Sequence, residues 1–370
     1  MTSIIYVGMD VHTRNYTVCC YSVERDKIFA TARMEPEYKN IVKYLEQVKR
    51  NVGGECEVEC GYEAGVLGYS LYHELTRAGV ECVIVAPRTM AVRKKKGMKT
   101  DKRDASNMAR CLAYKTYRAV YIPTAEENGV KEYLRMREDM KETLKRMKQQ
   151  IMALCTRHGK RYTEGRSYWT QRHIRWLEKV EMGNGILQET LEEYLTVYHQ
   201  AVEKVEVYDK RIEELAGTER YEEKVKKLTC LVGIKAHTAL STIVETGDFV
   251  RFGTAERYAS YLGLVPGEES SGESVRRRGI TKAGNVHIRK LLVEAAQSYS
   301  RGGVGAKGKR LKERQAGNEA KVIAYADKGN ERMKRKCYRM MYRSKRNIAI
   351  TAVARELSCF IWGMMTDNIG

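Results

Sequence analysis

Hydrophobic residues in the first 122 positions fall in short runs that are typical of β-strands. Each run is too short for a globular helix, and polar or glycine-containing stretches separate them. The runs cover residues 4–9, 17–22, 27–33, 57–62 and 82–85. A stretch with helical character, residues 66–78, lies between the last two. Strands that give way to alternating helix and strand predict an α/β domain.

The pattern changes to that of long helices after residue 122. Apolar residues recur at intervals of three and four from Met140 to Leu154, and again from Leu191 to Val205, with Ile212 and Leu215 extending the second series. Such heptad seams are joined here by a basic and aromatic connector, GKRYTEGRSYWTQRHIRW. The pattern predicts either a self-contained helical hairpin or a dimerising coiled coil, and it leaves both open.

A third region begins near residue 219. Two short helices around a glycine turn are predicted over residues 228–244, similar to a helix-hairpin-helix, with Lys235 where that motif usually has a second glycine. Residues 347–364 return to apolar helical spacing. We therefore predict domains at 1–122, 123–218 and 219–370.

Four carboxylates stand where the chain turns or changes element. Asp10 ends the first strand-like run, Glu63 follows the fourth, and Asp101 and Asp104 share one face of a helix that Thr100 can cap. Acids from two neighbouring strands and one helix can meet at one end of a sheet. Any one of them alone is more often a turn or cap residue, whereas together they predict a nuclease-type metal site.

The expected metal is Mg²⁺, with Mn²⁺ as the alternative. Packed carboxylates repel one another unless divalent cations neutralise them. The sequence shows hard oxygen ligands without a nearby cluster of His or Cys, which favours these ions over zinc.

Charge indicates the partner. The 370 residues carry 67 Lys and Arg against 47 Asp and Glu, a net charge of +20, so nucleic acid is the first candidate. We find no run of about 18 apolar residues and expect no membrane partner. Ten cysteines without a disulfide or zinc pattern suit a reducing cytoplasm.

Basic residues concentrate in several places that we predict to bind nucleic acid. The segment 301–346 holds 16 basic and 4 acidic residues; its first half is predicted to be a Gly- and Lys-rich loop that orders on a phosphate backbone, with a merely solvated basic helix as the alternative. The individual candidates are Arg93, Lys94, Lys95, Lys96, Lys235, Arg276, Arg277, Arg278 and Lys282.

A predicted loop from Pro266 to Gly272 presents Ser270 and Ser271 just ahead of the arginines. Cations near a serine can hold a phosphate while the hydroxyl attacks it. On turn statistics alone, a Ser-Ser-Gly sequence is usually only a turn.

Several segments together resemble the insertion-sequence 110 family of transposases. They are, in chain order, VGMDVH, YEAG, KTDKRDA, YLGLVPGEESSGES, ITKAGNVHIRK and ITAVARELSCFIW. The resemblance implies a RuvC-like (RNase H-like) α/β domain with an Asp-Glu-Asp-Asp site, a coiled-coil middle and a mainly α-helical transposase domain with a catalytic serine. Carried onto this sequence, the acids are Asp10, Glu63, Asp101 and Asp104, and the serine is Ser271.

The resemblance also implies a mechanism and partners. The serine joins covalently to a DNA strand end beside Mg²⁺, and the strand is then rejoined to a new partner. A noncoding bridge RNA pairs with donor and target DNA, and the enzyme is a dimer or tetramer in the prokaryotic cytoplasm, at the nucleoid. Two other readings stay open: a RuvC-type junction nuclease in which Ser271 is structural, and a non-catalytic nucleic-acid scaffold.

Overall fold

The chain forms two compact units, Met1–Ile122 and Pro123–Gly370. The structure is a computed structural model that describes residues 3–52, 56–87, 100–271 and 274–369, with backbone alone for 3, 269–271 and 274–277. The three-domain division, with a boundary between residues 218 and 219, stays a prediction.

The first unit contains a five-stranded sheet in the order β3-β2-β1-β4-β5. The first three strands are antiparallel, while β4 and β5 run parallel to β1. The strands are β1 (Ser3–Val11), β2 (Tyr16–Ser22), β3 (Lys27–Met34), β4 (Cys56–Glu63) and β5 (Cys82–Val85). The predicted α/β character of this region is confirmed.

Helices cover both faces of this sheet. They are α1 (Tyr38–Val52), α2 (Ser70–Arg77) and α3 (Asp101–Ala113). Successive residues of β1 point to opposite faces of the sheet. Ile5 and Val7 pack on one face in a core with α1 and α2, whereas Tyr6 packs on the other face with α3. Helix α2 begins four residues later than the sequence predicts, because Gly68 has φ +55° in the turn before it.

Two glycines let α3 lie close against the sheet. Gly8 of β1 and Gly61 of β4 are register partners. A Cβ atom at Gly8 would lie 2.0 Å from the Ala105 carbonyl oxygen, and one at Gly61 would lie 2.8 Å from Leu112 Cδ2. Only a residue without a side chain fits at Gly8, and the backbone of α3 occupies the space.

The second unit opens with an antiparallel helical hairpin. It consists of α4 (Ala125–Arg157), α5 (Gln171–Lys179) and α6 (Gly185–Ala216). Helix α4 starts at the predicted residue, where Thr124 and Glu127 form a reciprocal capping box. The heptad residues of α4 and α6 pack against each other within this one chain, as in the self-contained hairpin. A dimerising role stays a prediction.

The remaining elements share one hydrophobic core. The start of α4 and the end of α6 also contribute to it, through Val130, Leu134, Ile212 and Ala216. The helices are α7 (Glu222–Thr229), α8 (Ala236–Thr246), α9 (Ala255–Tyr261), α10 (Val286–Ala296), α11 (Lys309–Gln315), α12 (Ala320–Arg343) and α13 (Arg346–Met365). A two-stranded antiparallel ladder joins β6 (Pro266–Ser271) to β7 (Ser274–Ile280).

The prediction of a loop at residues 266–271 is wrong, because they form a strand. The loop predicted over the first half of segment 301–346 is wrong in part: residues 301–308 lie outside helices and strands, but α11 and the start of α12 are helical. Val322, Ala326, Met333 and Cys337 bury one face of α12 at helical spacing.

Helix α13 covers the apolar helical spacing predicted for residues 347–364. Among the described helices it alone is long and apolar enough, by composition, to cross a bilayer. Two thirds of that window is buried inside the protein, and the Trp362 indole donates a hydrogen bond to the Phe249 carbonyl. It is packed as a core helix.

All ten cysteines are free thiols, and none is fully exposed. Burial raises the pKa of Cys20 and of Cys82 to about 12, and that of Cys230 to about 11. These thiols are packing groups.

Candidate active site

The sheet of the first unit brings two of the predicted acids to one edge. In the β1–β4 ladder Met9 pairs with Tyr62, so continuing the register by one residue places Asp10 beside Glu63. Each acid lies two residues beyond a paired glycine, and side chains two apart share a face. Asp10 and Glu63 therefore stand on the α3 side of the sheet, at the carboxyl ends of parallel strands.

Helix α3 brings the other two. Its N-cap is Thr100, as predicted, but the Thr100 side chain makes no capping hydrogen bond. The Thr100 carbonyl oxygen instead accepts hydrogen bonds from the N–H groups of Arg103 and Asp104. Asp101 and Asp104 lie in the first turn, where the helix dipole stabilises negative charge. The close approach of α3 at Gly8 directs this turn toward Asp10.

Asp10, Asp101 and His12 form the tightest group at this edge. One ligand atom from each lies within 4.8 Å of the others. His12 Nε2 is 3.3 Å from Asp10 Oδ1. His12 is a single histidine beside the acids, and the sequence pattern did not mark it as a candidate ligand. Glu63 and Asp104 stand at the same edge but outside that group.

The electrostatics of Asp10 match a crowded acidic site. Its side chain is 18 % exposed. Burial raises the pKa of Asp10 above its ordinary value, the charges of Asp101 and Asp104 add to the increase, and His12 opposes it. A divalent cation would relieve this repulsion, and carboxylate oxygens are the ligands that Mg²⁺ and Mn²⁺ prefer. The residues present thus fit such an ion, with Asp10 and Asp101 as its nearest holders.

The predicted nucleophile lies at the end of a β-hairpin, which we call the serine hairpin (β6 and β7, Pro266–Ile280). Ser271 is the last residue of β6 and pairs with Ser274. Arg276 and Arg277 stand opposite Glu269 and Glu268 in the register. The side chains of Ser270, Ser271, Arg276 and Arg277 lie outside the described part of the chain.

The base of the serine hairpin is tightly built. A Cβ atom at Gly284, which has φ +74°, would lie 1.8 Å from the Tyr261 carbonyl oxygen, and one at Gly263 (φ +66°) would lie 2.1 Å from the Ala283 carbonyl oxygen. Arg289 donates from one guanidinium nitrogen to the carbonyls of Leu262 and Ala283, at 2.8 and 2.9 Å. The two ends of the hairpin are held together by backbone contacts that only glycine permits.

A network of hydrogen bonds and ion pairs around the buried Glu245 connects the base of the serine hairpin to helix α4. Asn285 caps α10 by accepting from the Ile288 N–H, and its amide donates to Glu245 Oε2 at 2.9 Å. Arg135 of α4 donates two hydrogen bonds to the Glu245 carboxylate, from Nε to Oε1 at 2.8 Å and from Nη2 to Oε2 at 3.2 Å. Burial alone would raise the pKa of Glu245, but the hydrogen bond from Arg135 and the charge of Lys131 outweigh it and lower the pKa.

The remaining predicted cations are dispersed. Lys235 is exposed at the N-cap of α8, and Arg278 and Lys282 are exposed on and just after β7. Arg93, Lys94, Lys95 and Lys96 lie outside the described residues.

Sequence reasoning missed His12, Asn285 and the pair Glu245 and Arg135. Asn285 precedes a helix, which is an ordinary N-cap signal. Glu245 and Arg135 are 110 residues apart, and nothing local connects them.

Comparisons with known proteins identify related transposases. A DEDD transposase model of the IS110 type matches residues 7–159, and a model described as "Transposase IS116/IS110/IS902 family" matches residues 225–307. The putative transposase y4qE of Sinorhizobium fredii (strain NBRC 101917 / NGR234) is 34% identical over 364 residues, covering 98% of this chain and 88% of the relative. The transposase for insertion sequence element IS1533 of Leptospira borgpetersenii is 30% identical over 334 residues, covering 90% and 95%.

The two family models and these relatives show that the protein is a transposase. The chain belongs to the IS110 family of insertion-sequence transposases. The DEDD family indicates a divalent metal and a DNA-cleaving and DNA-joining activity.

Proposed function

We propose that this transposase cleaves and rejoins DNA through a covalent bond between Ser271 and a DNA strand, with Mg²⁺, or Mn²⁺, held by Asp10, Glu63, Asp101 and Asp104. The observation that carries the metal site is the meeting of Asp10 from a strand with Asp101 from a helix. Family membership supports the DNA substrate, and the α/β unit is consistent with a RuvC-like fold.

The chemistry is a two-step phosphoryl transfer. The Ser271 hydroxyl oxygen attacks a backbone phosphorus, its proton passes to solvent, and the phosphorus–oxygen bond to the departing nucleoside breaks as that oxygen takes up a proton. A second strand end reverses the exchange and frees the serine, so no ATP is needed. A bound divalent cation supplies charge stabilisation of the phosphoryl group. The carboxylates orient that cation, and the serine hairpin presents the nucleophile.

We further propose that a noncoding bridge RNA directs the enzyme, and that it works as a dimer or tetramer at the nucleoid. The net charge of +20 supports a polyanionic partner. The nucleic-acid contacts near the serine are proposed for Arg276, Arg277, Arg278 and Lys282, with Lys235 and the basic run Arg93 to Lys96 as further contacts.

Substitution of the serine tests the mechanism. Ser271→Ala is expected to abolish strand exchange and any protein–DNA adduct on a denaturing gel, while folding and DNA binding persist. The matched variant Ser270→Ala, one residue away in the same strand, keeps both activities. Recombination by Ser271→Ala would overturn the proposed nucleophile.

The carboxylate cluster assembles within one compact unit, and this favours a second candidate, a metal-dependent junction nuclease that uses water. The same variant separates the two. A nuclease would still release cut DNA after Ser271→Ala, whereas the proposed recombinase would release neither cut nor rejoined product.

Guidance by RNA has its own test. The protein is purified from its host and the bound RNA is sequenced. A single defined RNA with segments complementary to the donor and target DNA is expected; recovery of only a random mixture of cellular RNA would contradict guidance.

A further inference from the structure

A basic groove runs along α12 where it faces α13. Its volume is about 560 Å³. Five cations line it, at intervals of four, three, one and three residues, so that they share one side of the helix. They are Lys328, Arg332, Arg335, Lys336 and Arg339. None of them belongs to the carboxylate cluster or to the serine hairpin.

A buried acid organises two of these cations. Glu356 of α13 is only 7 % exposed, in a helix that otherwise buries mainly apolar and small residues. Lys336 Nζ lies 2.6 Å from Glu356 Oε2, and Arg332 pairs with the other carboxylate oxygen. Because Glu356 fixes both side chains from below, they are held in place before any ligand arrives.

The balance of charge in the groove is positive. Glu331, which pairs with Arg335, and Glu356 are the two acids among the lining residues, against five cations. The side chains of Arg332 and Arg335 are 69 % and 70 % exposed. Open, cationic walls of this kind suit a polyanion better than an enclosed small molecule.

The length of the groove suits a nucleic-acid strand. From Lys328 to Arg339 the helix rises about 16 Å at 1.5 Å per residue. One strand of a duplex spaces its phosphates by about 3.4 Å along the axis, so about five phosphates fit beside it. A second cavity of about 420 Å³ shares Arg332, Lys336 and Glu356 and continues toward Tyr325 and Asn368.

We propose that this α12 groove binds the sugar–phosphate backbone of a nucleic acid, with Glu356 as the residue that positions Arg332 and Lys336. The proposal rests on the proposed function in one respect, the nucleic-acid partner. The phosphodiester backbone is common to DNA and RNA, and the experiment separates the two sources.

The test replaces three of the groove cations. It keeps Arg332 and Lys336, so that the buried carboxylate of Glu356 retains both ion pairs. The variant is Lys328→Gln, Arg335→Gln, Arg339→Gln in the full chain. The matched control removes three exposed lysines of α6 and α7, by Lys204→Gln, Lys210→Gln, Lys224→Gln. Circular dichroism checks that both variants keep their helices.

Binding is measured by fluorescence anisotropy from 50 to 200 mM salt, without divalent cations, on a mixed-sequence DNA duplex and on an RNA hairpin of equal length. Losing three phosphate contacts should lower the log–log salt slope by about 2 to 3 and weaken binding at least tenfold at low salt, while the control changes the slope by less than about 1. A loss confined to DNA or to RNA identifies the backbone that binds.

Equal losses in the groove variant and the control, or no loss in either, would overturn the proposal. The result is independent of the chemistry, because no strand is cut in this assay. If Ser271→Ala retains recombination while the groove variant loses affinity, the serine mechanism fails and the α12 groove stands.

Discussion

Gly8 and Gly61 are direct partners in adjacent parallel strands, and both lie under α3. The acids Asp10 and Glu63 follow at the next positions on the same face. The paired glycines therefore set the distance between helix and sheet, and with it the distance between the acids of the strands and those of the helix.

Adding a methyl group at Gly8 should separate α3 from β1. Gly8→Ala places a Cβ atom against the backbone of Ala105 and Ala109, which cannot rotate away. We expect the free energy of unfolding to fall by about 3 kcal/mol, at the upper end of overpacking costs. Urea denaturation measures the change.

Two glycine variants serve as controls for that effect. Gly61→Ala meets the side chain of Leu112, which can adjust, so it should cost less than Gly8→Ala. Gly129→Ala in α4 meets nothing within 4 Å and should stabilise the protein by about 0.5–1 kcal/mol. An equal effect of all three would show that the approach of α3 does not matter.

Divalent cations should stabilise the protein through the carboxylate cluster. At a concentration 100 times the dissociation constant, binding adds about 2.7 kcal/mol and raises the Tm. Asp10→Asn and Asp101→Asn are expected to lose the response to Mg²⁺ in thermal unfolding. Without metal, Asp10→Asn should be no less stable than the native chain, because it removes one of several mutually repelling charges.

Two further variants define this site. Glu37→Gln changes an exposed acid before α1 and should keep the full response to Mg²⁺. His12→Ala should also keep it, since imidazole is not a ligand that Mg²⁺ prefers. Loss of the response in His12→Ala would make His12 a metal ligand.

Removing Glu245 should be costly. Glu245→Ala leaves Lys131, Arg135 and Asn285 without their shared partner, and breaking a buried pair of this kind costs about 3–5 kcal/mol. Glu132→Ala is the matched control, because Glu132 is an exposed second acid on the same Arg135, 3.8 Å away, and such surface pairs contribute about 0–1 kcal/mol. Chemical denaturation of both variants compares them.

Stability should fall in mild acid because of His237. Burial, and then the charge of Arg137, lower the pKa of His237 to about 4, although Glu138 Oε1 lies 3.5 Å from its Nε2. The ordinary value is 6.5. The unfolded chain therefore takes up the proton first, so the stabilisation is complete above pH 6.5 and is lost as the pH falls from 6.5 toward 4.

The slope attributable to one such group is at most about 1.4 kcal/mol per pH unit. His237→Gln should flatten the stability profile over this range, measured by urea denaturation at several pH values. A profile as steep in His237→Gln as in the native chain would contradict the assignment.

The sequence predicts the first unit well because its strands are apolar runs bounded by turn residues. Strands β1, β2, β3, β4 and β5 all occur within a few residues of their predicted positions. It fails at the serine hairpin, because PGEESS and SVRRRGI show no apolar alternation and their pairing is set from the base, by Gly263 and Gly284. The sequence pattern does not predict α12, because the helix is rich in Lys and Arg and its buried face includes small residues such as Ala326 and Gly329.

Contacts between distant segments are the other limit. Glu245 becomes important only because α4 and α8 pack together, and His12 becomes a neighbour of Asp101 only when α3 docks on β1. Local sequence patterns cannot predict either contact. The four acids can be singled out from the sequence because each stands near the end of its own element.

The shielded cysteines make this transposase convenient for distance measurements. A thiol with a pKa near 11 or 12 is almost wholly protonated at neutral pH and reacts slowly with maleimides. One exposed cysteine introduced in each of the two units could therefore be labelled with a donor and an acceptor dye once the partly exposed Cys56 and Cys359 are replaced by serine. Energy transfer between them would then report whether the distance between the two units changes when DNA is added.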